Sequence, residues 1–136
     1  VKTYAKHKAG DNCIFLGQRN DVPKLYPQFD LAVHPSHSEN VGGAVESMYA
    51  QVATLTSDVG GFPDLVTDGE TGYIAAAKSP NELASKIIEA INNPEERKKR
   101  IVKGLEKVTQ VMNVEHNARQ VHDFYIDVLE QESLNV

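Results

Sequence analysis

Two glycine pairs, each preceded by a short apolar segment, constrain the fold of this chain more than any other feature. The apolar segment 31–34 leads into a polar loop that ends in the glycine pair 42–43, where a helical pattern begins. A second apolar segment, 54–57, leads into the glycine pair 60–61. Strands, glycine turns and helices in this repeating order are typical of α/β folds, whose ligands bind beyond the carboxyl ends of the parallel strands.

Length, charge and cysteine content narrow the class of protein. The 136 residues suffice for one compact domain, and no apolar run approaches the length of about 18 residues that spans a membrane. The net charge of -5 argues against broad nucleic-acid binding, which needs a basic surface. The single cysteine, Cys13, cannot form an internal disulfide, so we expect a reducing, cytoplasmic location.

Hydrophobic patterning predicts short strands that alternate with helices. Strands are predicted at 12–16, 31–34, 54–57 and 73–75. After a first helix that ends at Gly10, helices are predicted at 22–28, 43–51, 62–67, from 80 onward, 94–112 and 114–131. The predicted fold class is α/β, with a Rossmann-like parallel sheet flanked by helices.

Several local features are predicted within these elements. Cys13 lies in the apolar run Cys-Ile-Phe-Leu and is expected to be buried in the first strand. Asp21 and Ser79 precede helical patterns and are expected to cap them. The last helix is expected to bury one apolar face, which consists of Ala118, Val121, Phe124, Tyr125 and Leu129.

The loop before the helix at 43–51 has the chemistry of an anion site. Peptide N–H groups at a helix start favour phosphate, and glycine allows a ligand to approach the backbone closely. Acidic side chains in the same segment can accept hydrogen bonds from sugar hydroxyls. We therefore interpret the segment 34–61 as a nucleotide-sugar site, although few basic residues lie near it to neutralise a diphosphate.

Three motifs occur in a fixed order along the chain. They are FLGQRNDVPKLYPQFDLAVHPS, SENVGGAVESMYAQVATLTSDVGGFPDLV and DGETGYI. Together, over residues 12–93, they resemble the donor-binding C-terminal domain of the family-4 retaining glycosyltransferases, which have the GT-B fold of two facing Rossmann-like domains. The resemblance implies transfer of a hexosyl unit from a nucleotide diphosphate sugar to an acceptor hydroxyl, with retention of anomeric configuration.

In this family two glutamates flank the glycine loop. The first lies near the transferred sugar and the diphosphate, and the second binds the ribose hydroxyls. The resemblance assigns these roles to Glu39, the catalytic candidate, and to Glu46. Six residues separate the two here, one fewer than is usual in the family. Counting back from Glu46 places the first position at Ser38, whereas counting from the loop places it at Glu39, which we prefer.

The resemblance also assigns the remaining contacts of the donor. Peptide N–H groups of the loop and helix start are expected to bind the distal phosphate, where negative charge grows as the glycosidic bond breaks. The residues of this phosphate site are Asn40, Val41, Gly42 and Gly43. The nucleobase is expected to lie against Gln18, Arg19 and Leu25, mostly through backbone contacts.

The family's diphosphate-binding Arg and Lys, and its acceptor-binding N-terminal domain, would precede Val1. We therefore expect residues 1–136 to form a single, truncated nucleotide-sugar-binding domain that is inactive alone. Its expected partners are the nucleotide-sugar donor and that N-terminal domain, and not nucleic acid. The expected reaction needs no metal and no other cofactor.

Other interpretations stay open. A non-catalytic nucleotide-sugar-binding or docking module would explain the shortened glutamate spacing, and the same fold hosts sugar epimerases.

His34 and His37 are more simply structural than metal ligands, since no cysteine or carboxylate set completes a zinc site. The basic run 97–100 is most simply a solvated helix face, with peripheral membrane association through anionic lipid as the alternative. The last helix alternatively crosses to the N-terminal domain with its apolar face exposed in this chain.

Overall fold

The computed structural model describes residues 1–38 and 41–133, and a parallel sheet lies at its centre. Among these residues the strands are β1, Leu31–His34; β2, Ala53–Ser57; and β3, Tyr73–Ala75. They lie in the order β1-β2-β3, and both neighbouring pairs are parallel. The α/β class and the Rossmann-like arrangement predicted from the sequence are confirmed.

Helices precede, separate and follow the strands. They are α1, Lys2–Ala9; α2, Val22–Leu25; α3, Gly42–Tyr49; α4, Phe62–Leu65; α5, Pro80–Asn92; α6, Pro94–Val111; and α7, Val114–Ser133. Short 3₁₀ helices, Gly10–Asn12 and Tyr26–Gln28, follow α1 and α2. The predicted helices are confirmed, and their ends differ from the prediction by a few residues. Within the described ranges, no helix combines the length and the apolar composition that crossing a bilayer requires.

The central strand β2 is buried on both faces, and all five of its residues are buried. Ala53 and Leu55 belong to an apolar cluster with β3 and α5, whereas the Thr54 hydroxyl bonds to Ser47 of α3 on the other side. Successive side chains of a strand point to opposite faces, so β2 anchors helices on both sides of the sheet.

Two apolar clusters hold the helices in place. The cluster that joins α3, α4 and α6 has a buried centre made of Ala44, Met48, Phe62, Leu65, Val66 and Val108. The cluster that joins the sheet to α5 has a buried centre made of Ala53, Leu55, Tyr73, Ala75 and Ala90. The first cluster fixes α3, which carries Gly42, Gly43 and Glu46 of the predicted site, against the rest of the domain.

Asp68 ties the turn before β3 to α5. Its Oδ1 atom accepts the backbone N–H of Ile74 at 2.9 Å, and its Oδ2 atom accepts Lys86 Nζ at 2.6 Å. Burial acts to raise the pKa of Asp68, but the bonds from Lys86 and Ile74 outweigh it and hold the pKa below its ordinary value. The ionised carboxylate is therefore the form that the fold favours.

The predicted strand at 12–16 is wrong. Gly10–Asn12 is a 3₁₀ helix, and the apolar run that follows has no strand partner in the described sheet. Cys13 is exposed, and the side chains from Ile14 to Leu16 are 43–79% exposed. An apolar run in a sequence resembles a buried strand, but a strand also needs a neighbour for its backbone hydrogen bonds.

The predicted burial of the last helix is also wrong. The apolar side chains on α7 that were expected in the core are exposed, and they are Ala118, Val121, Phe124, Tyr125 and Leu129. An amphipathic pattern predicts that one face of a helix packs, but it does not identify the surface that covers it. The alternative, in which this face packs against another domain, stays a prediction.

Asp21 and Ser79 occupy the N-cap positions of α2 and α5, as predicted, but neither side chain makes a capping hydrogen bond. The Asp21 carboxylate instead accepts two hydrogen bonds from Arg19. Ser79 contributes its carbonyl group, which accepts the N–H of Leu83 at 3.0 Å. The predicted side-chain capping is therefore wrong at both positions. Gly10 ends α1 with a φ of 58°, so its predicted role is confirmed.

Candidate functional site

The candidate site lies at the carboxyl ends of β1 and β2, where the loop after β1 leads into α3. Val41 occupies the N-cap position of α3 in the left-handed region, with φ 67° and ψ -9°. This conformation costs a residue with a Cβ atom about 1–2 kcal/mol, and it is rare for a β-branched side chain. Backbone strain of this kind clusters at ligand sites, so it directs attention to the start of α3.

Val41 also connects the two glycine turns. A Cβ atom on Gly61 would lie 2.9 Å from Cγ1 of Val41, which is closer than carbon atoms pack. Gly61 has a φ of -84°, which any residue can adopt. Glycine is therefore needed at this position for space rather than for backbone conformation. The valine that precedes one glycine pair therefore packs against a glycine of the other pair.

The first turn of α3 presents peptide N–H groups at the edge of the sheet. Val41 has no side-chain oxygen to cap them, and its carbonyl group accepts the N–H of Val45 at 3.0 Å. The first N–H groups of a helix have no partner within the helix, and the helix dipole favours negative charge there. This turn suits a phosphate group.

Glu46 lies one turn further along α3, and its side chain is exposed. Its Oε2 atom accepts a hydrogen bond of 3.4 Å from the hydroxyl of Tyr26. Tyr26 is 7% exposed, and burial, followed by the charge of Glu46, raises the pKa of its hydroxyl. Glu46 also borders a surface cavity of about 370 Å³ between α2 and α3. The carboxylate is thus positioned by a protein contact and accessible to a ligand.

The residues predicted to lie against the nucleobase occupy the segment before α2 and α2 itself. The guanidinium group of Arg19 donates two hydrogen bonds, of 2.7 and 2.6 Å, to the carboxylate of Asp21. The hydrogen bond from Arg19 lowers the pKa of that carboxyl group. Gln18 is exposed, and Leu25 is half-buried. The charge of Arg19 is therefore neutralised by Asp21 in this structure.

Two predicted site residues, Glu39 and Asn40, lie outside the described residues, so their roles stay predictions. Ser38, the other candidate for the first glutamate position, is exposed. The structure places Val41 at the N-cap of α3 and Gly42, Gly43 and Glu46 within the first two turns of that helix. Gln18 and Arg19 precede α2 and belong to a different part of the chain.

The sequence did not reveal which residues contact the site residues of α3 and hold them in place. His34 was interpreted as structural, and its ring lies against Gly43 and approaches the Ser47 hydroxyl at 3.3 Å, contacts that the sequence did not specify. Ser47 bonds in turn to Thr54 of β2 at 2.8 Å. Tyr26, which contacts Glu46, is twenty residues away from it in the sequence. None of these pairs has a local spacing from which a contact could be predicted.

A metal site was not expected from the sequence. Within residues 1–38 and 41–133, no group of three or more His, Cys, Asp or Glu side chains is arranged to hold a metal ion. The expectation of a metal-independent site stays a prediction, since Glu39 lies outside these ranges.

Comparison with known proteins identifies the family. Residues 1–107 match the family described as Glycosyl transferases group 1, so the match includes all three described strands and α3. The chain belongs to the glycosyl transferases group 1 family. The site at the start of α3 therefore lies within the residues that match the family.

Solved structures of glycosyltransferases share the fold of this group 1 chain. The C-terminal domain of a group 1 glycosyl transferase, LpcC from Francisella tularensis, matches with a TM-score of 0.68 and 28% identity over 80% of this chain and 58% of that one. Sucrose-phosphate synthase from Thermosynechococcus elongatus matches with a TM-score of 0.80 and 27% identity over 94% of this chain and 33% of that one. The resemblance to the C-terminal domain of GT-B glycosyltransferases is confirmed.

A mannosyltransferase similar to this chain is a longer protein. The lipopolysaccharide core biosynthesis mannosyltransferase LpcC of Rhizobium leguminosarum bv. viciae is 34% identical over 85 residues. The match covers 62% of this chain and 24% of the relative. The chain therefore spans about a quarter of the length of this enzyme.

Proposed function

We propose that this chain forms part of the donor-binding domain of a retaining glycosyltransferase, which moves a hexosyl unit from a nucleotide diphosphate sugar to an acceptor hydroxyl. The observation that carries the proposal is α3, whose glycine-rich first turn and Glu46 lie on one helix at the carboxyl end of the sheet. Ligands of parallel α/β sheets bind at this edge. Family membership supports glycosyl transfer, and the mannosyltransferase relative supports a hexosyl unit.

The ribose, the distal phosphate and the transferred sugar of the donor each have a proposed partner in the chain. Glu46 accepts both ribose hydroxyls, since an ionised carboxylate has two acceptor oxygens. Peptide N–H groups stabilise the charge that develops on the distal phosphate, and this part of the site comprises Asn40, Val41, Gly42 and Gly43. Glu39 is the catalytic candidate beside the transferred sugar. The family resemblance supports the roles of Glu39 and Asn40.

The diphosphate of the donor needs cations, and within the described residues the guanidinium group assigned to the donor, that of Arg19, is already paired. Arg19 already binds Asp21 through both oxygens. We propose that the cations and the acceptor-binding domain lie in further parts of a longer enzyme, and that the isolated chain is inactive. The 24% coverage of the mannosyltransferase relative supports this division. The proposed reaction uses no metal and no other cofactor.

The proposed setting is carbohydrate biosynthesis in the cytoplasm. The basic run 97–100 gives little support to binding of anionic lipid, because each of its cations has a carboxylate partner. The pairs are Arg97 with Asp30, Lys98 with Glu95, Lys99 with Glu96 and Arg100 with Glu89. Peripheral membrane association of the longer enzyme therefore stays the weaker alternative.

A second candidate function is a non-catalytic nucleotide-sugar-binding or docking module. The observations that favour it are the shortened spacing between Glu39 and Glu46 and the neutralisation of Arg19 by Asp21. Such a module keeps the binding surface of the fold but lacks the charges that promote bond cleavage.

The experiment that tests the proposed function is ligand-observed NMR of the chain with UDP, GDP and ADP. The same titration on Glu46→Ala tests the ribose contact, and Glu106→Ala serves as the matched control, because Glu106 is an exposed glutamate on α6, away from the site. We expect one nucleotide to bind weakly, to lose binding in Glu46→Ala and to keep it in Glu106→Ala.

A negative result in the isolated chain is followed by the same titration on a longer chain that includes upstream sequence. Binding there, with loss in Glu46→Ala, supports the donor site and locates the cations upstream. Absence of binding in both chains overturns the proposed transferase and leaves the docking module.

A further inference from the structure

We propose that His34 is a positioning residue that holds the first turn of α3 in place for the donor's phosphates; this inference rests on the proposed function. His34 is the last residue of β1 and is half-buried. It lies between the strand end and the helix that carries the candidate site. Two features of His34 determine this role: the ring nitrogen that carries hydrogen and the residues that the ring contacts.

The hydrogen-bond pattern around Ser47 determines the direction of its bond to His34. The Ser47 hydroxyl lies 2.9 Å from the carbonyl oxygen of Ala44, which can only accept, so Ser47 donates its one hydrogen there. Its two lone pairs are then available to Thr54 Oγ1 at 2.8 Å and to His34 Nε2 at 3.3 Å. With the Ser47 hydrogen used in this way, His34 donates through Nε2–H. The Thr54 hydroxyl lies within reach of two acceptors, Ser47 Oγ at 2.8 Å and the carbonyl oxygen of Val52 at 3.1 Å.

The Nδ1–Cε1 edge of the ring faces the glycine turn. A Cβ atom on Gly43 would lie 3.0 Å from both Nδ1 and Cε1 of His34, so the helix backbone rests on the imidazole. Phe62 provides a further wall, with ring centroids 6.3 Å apart and an angle of 42° between the planes. Ser47, Gly43 and Phe62 thus contact the ring from different sides.

In this arrangement the ring acts as a spacer between β1 and α3. The hydrogen bond to Ser47 orients the imidazole, and the imidazole sets the distance between the end of β1 and the first turn of α3. The peptide N–H groups of that turn are the proposed phosphate ligands. A small displacement of such groups weakens binding strongly, because their hydrogen bonds to an anion depend on distance and angle.

The first test measures the ¹⁵N chemical shifts of the His34 ring nitrogens by NMR of the chain labelled with ¹⁵N at histidine. These shifts show which ring nitrogen carries hydrogen. The signal of His34 is assigned as the one that is missing from the His34→Gln spectrum among the 5 histidines. We expect hydrogen on Nε2, and we expect Ser47→Ala to change the ¹⁵N shifts of His34. A neutral ring with hydrogen on Nδ1 overturns the proposed contact.

The second test compares nucleotide binding among three variants. In His34→Gln the side-chain amide nitrogen reaches the place of Nε2, whereas in His34→Asn it reaches only the place of Nδ1, and His34→Leu has no donor. We expect His34→Gln to retain most of the affinity and the other two to lose about fivefold or more, the effect of one buried hydrogen bond. Ser47→Ala, which keeps the imidazole and removes its acceptor, is expected to weaken binding in the same direction.

Thermal unfolding of each variant separates this role from a purely structural one. If His34→Asn and His34→Leu lower the melting temperature but bind the nucleotide as the parent chain does, the positioning role is overturned while the donor site stands. If the parent chain and its upstream-extended form bind no nucleotide, the proposed function fails and the positioning role fails with it. Loss of binding in Glu46→Ala together with loss in His34→Leu, but not in His34→Gln, supports both.

Discussion

The hydroxyl group of Tyr26 lies 3.4 Å from Oε2 of Glu46 and links the 3₁₀ turn after α2 to the exposed carboxylate of α3. Tyr26 is buried against Ala32 and Val52, so its ring is fixed by the sheet. A rigid donor restricts the rotamers of Glu46 before any ligand arrives. Pre-organisation of this kind reduces the entropy that binding must remove.

Replacing Tyr26 by phenylalanine tests this link. We expect Tyr26→Phe to lower stability by about 1 kcal/mol and to weaken nucleotide binding about threefold, since it deletes one hydrogen bond and keeps the ring. Tyr125→Phe is the matched control, because Tyr125 is 63% exposed. Thermal unfolding and the NMR titration measure the two effects. Unchanged affinity in a folded Tyr26→Phe protein would show that Glu46 needs no help from this hydroxyl.

The contact between Val41 and Gly61 predicts an energetic coupling. Gly61→Ala places a Cβ atom 2.9 Å from Cγ1 of Val41, and we expect it to cost about 1–3 kcal/mol. Val41→Ala removes Cγ1, so in that background Gly61→Ala is expected to cost much less. A double-mutant cycle measured by urea unfolding gives the coupling, which we expect to be at least about 0.5 kcal/mol. Additive effects of the two substitutions would contradict the contact.

The turn before β3 predicts a sharp difference between two glycines. A Cβ atom on Gly72 would lie 2.6 Å from the carbonyl oxygen of Thr54 and 2.8 Å from Cγ1 of Val66, both in the core. Gly69 has a φ of 78°, but nothing lies within 4 Å of the Cβ position. We expect Gly69→Ala to cost about 1 kcal/mol from backbone strain and Gly72→Ala to cost clearly more, about 3 kcal/mol. Denaturant unfolding measures both, and equal losses would contradict the packing around Gly72.

The lowered pKa of Asp68 predicts a pH dependence of stability. A carboxylate whose pKa is lower in the folded than in the unfolded chain stabilises the fold above its unfolded pKa, about 3.8, and this stabilisation is lost as the pH falls through the folded pKa. We expect Lys86→Met to destabilise the chain at pH 7, and we expect the difference from the parent chain to shrink in acid.

Lys98→Met is the control for this prediction, because the Lys98 side chain is 70% exposed and its pair with Glu95 lies on the surface. Thermal unfolding of both variants between neutral pH and pH values below the unfolded pKa measures the effect. A constant difference for Lys86→Met over the whole range would contradict the role of Asp68 ionisation.

Much of the fold could be predicted from local patterns, because local patterns govern strands and helices that are covered by this chain itself. The strands at 31–34 and 73–75 and the helix that begins at Pro80 were predicted at their observed positions. The segment 12–16 also has an apolar pattern, which predicted a strand. It has no strand partner in the described sheet, so that prediction was wrong. Pattern alone cannot supply the neighbour that a strand requires.

The candidate site likewise has features that local sequence predicts and contacts that it does not. The position of Glu46 and of the glycine turn on one helix followed from residue types and spacing, because both belong to a single short segment. The contacts of Tyr26 with Glu46 and of His34 with Ser47 join residues 20 and 13 positions apart. No periodicity connects residues at such distances.

The sequence by itself determined the α/β class, the family and the helix that carries the candidate site, since these depend on the order of elements and on short motifs. Only the tertiary structure decided that Val41 fills the space left by Gly61, that Tyr26 restrains Glu46 and that the ring of His34 supports Gly43. The physical reason is that close packing acts between residues brought together by the sheet. Those distances exist only after the chain has folded.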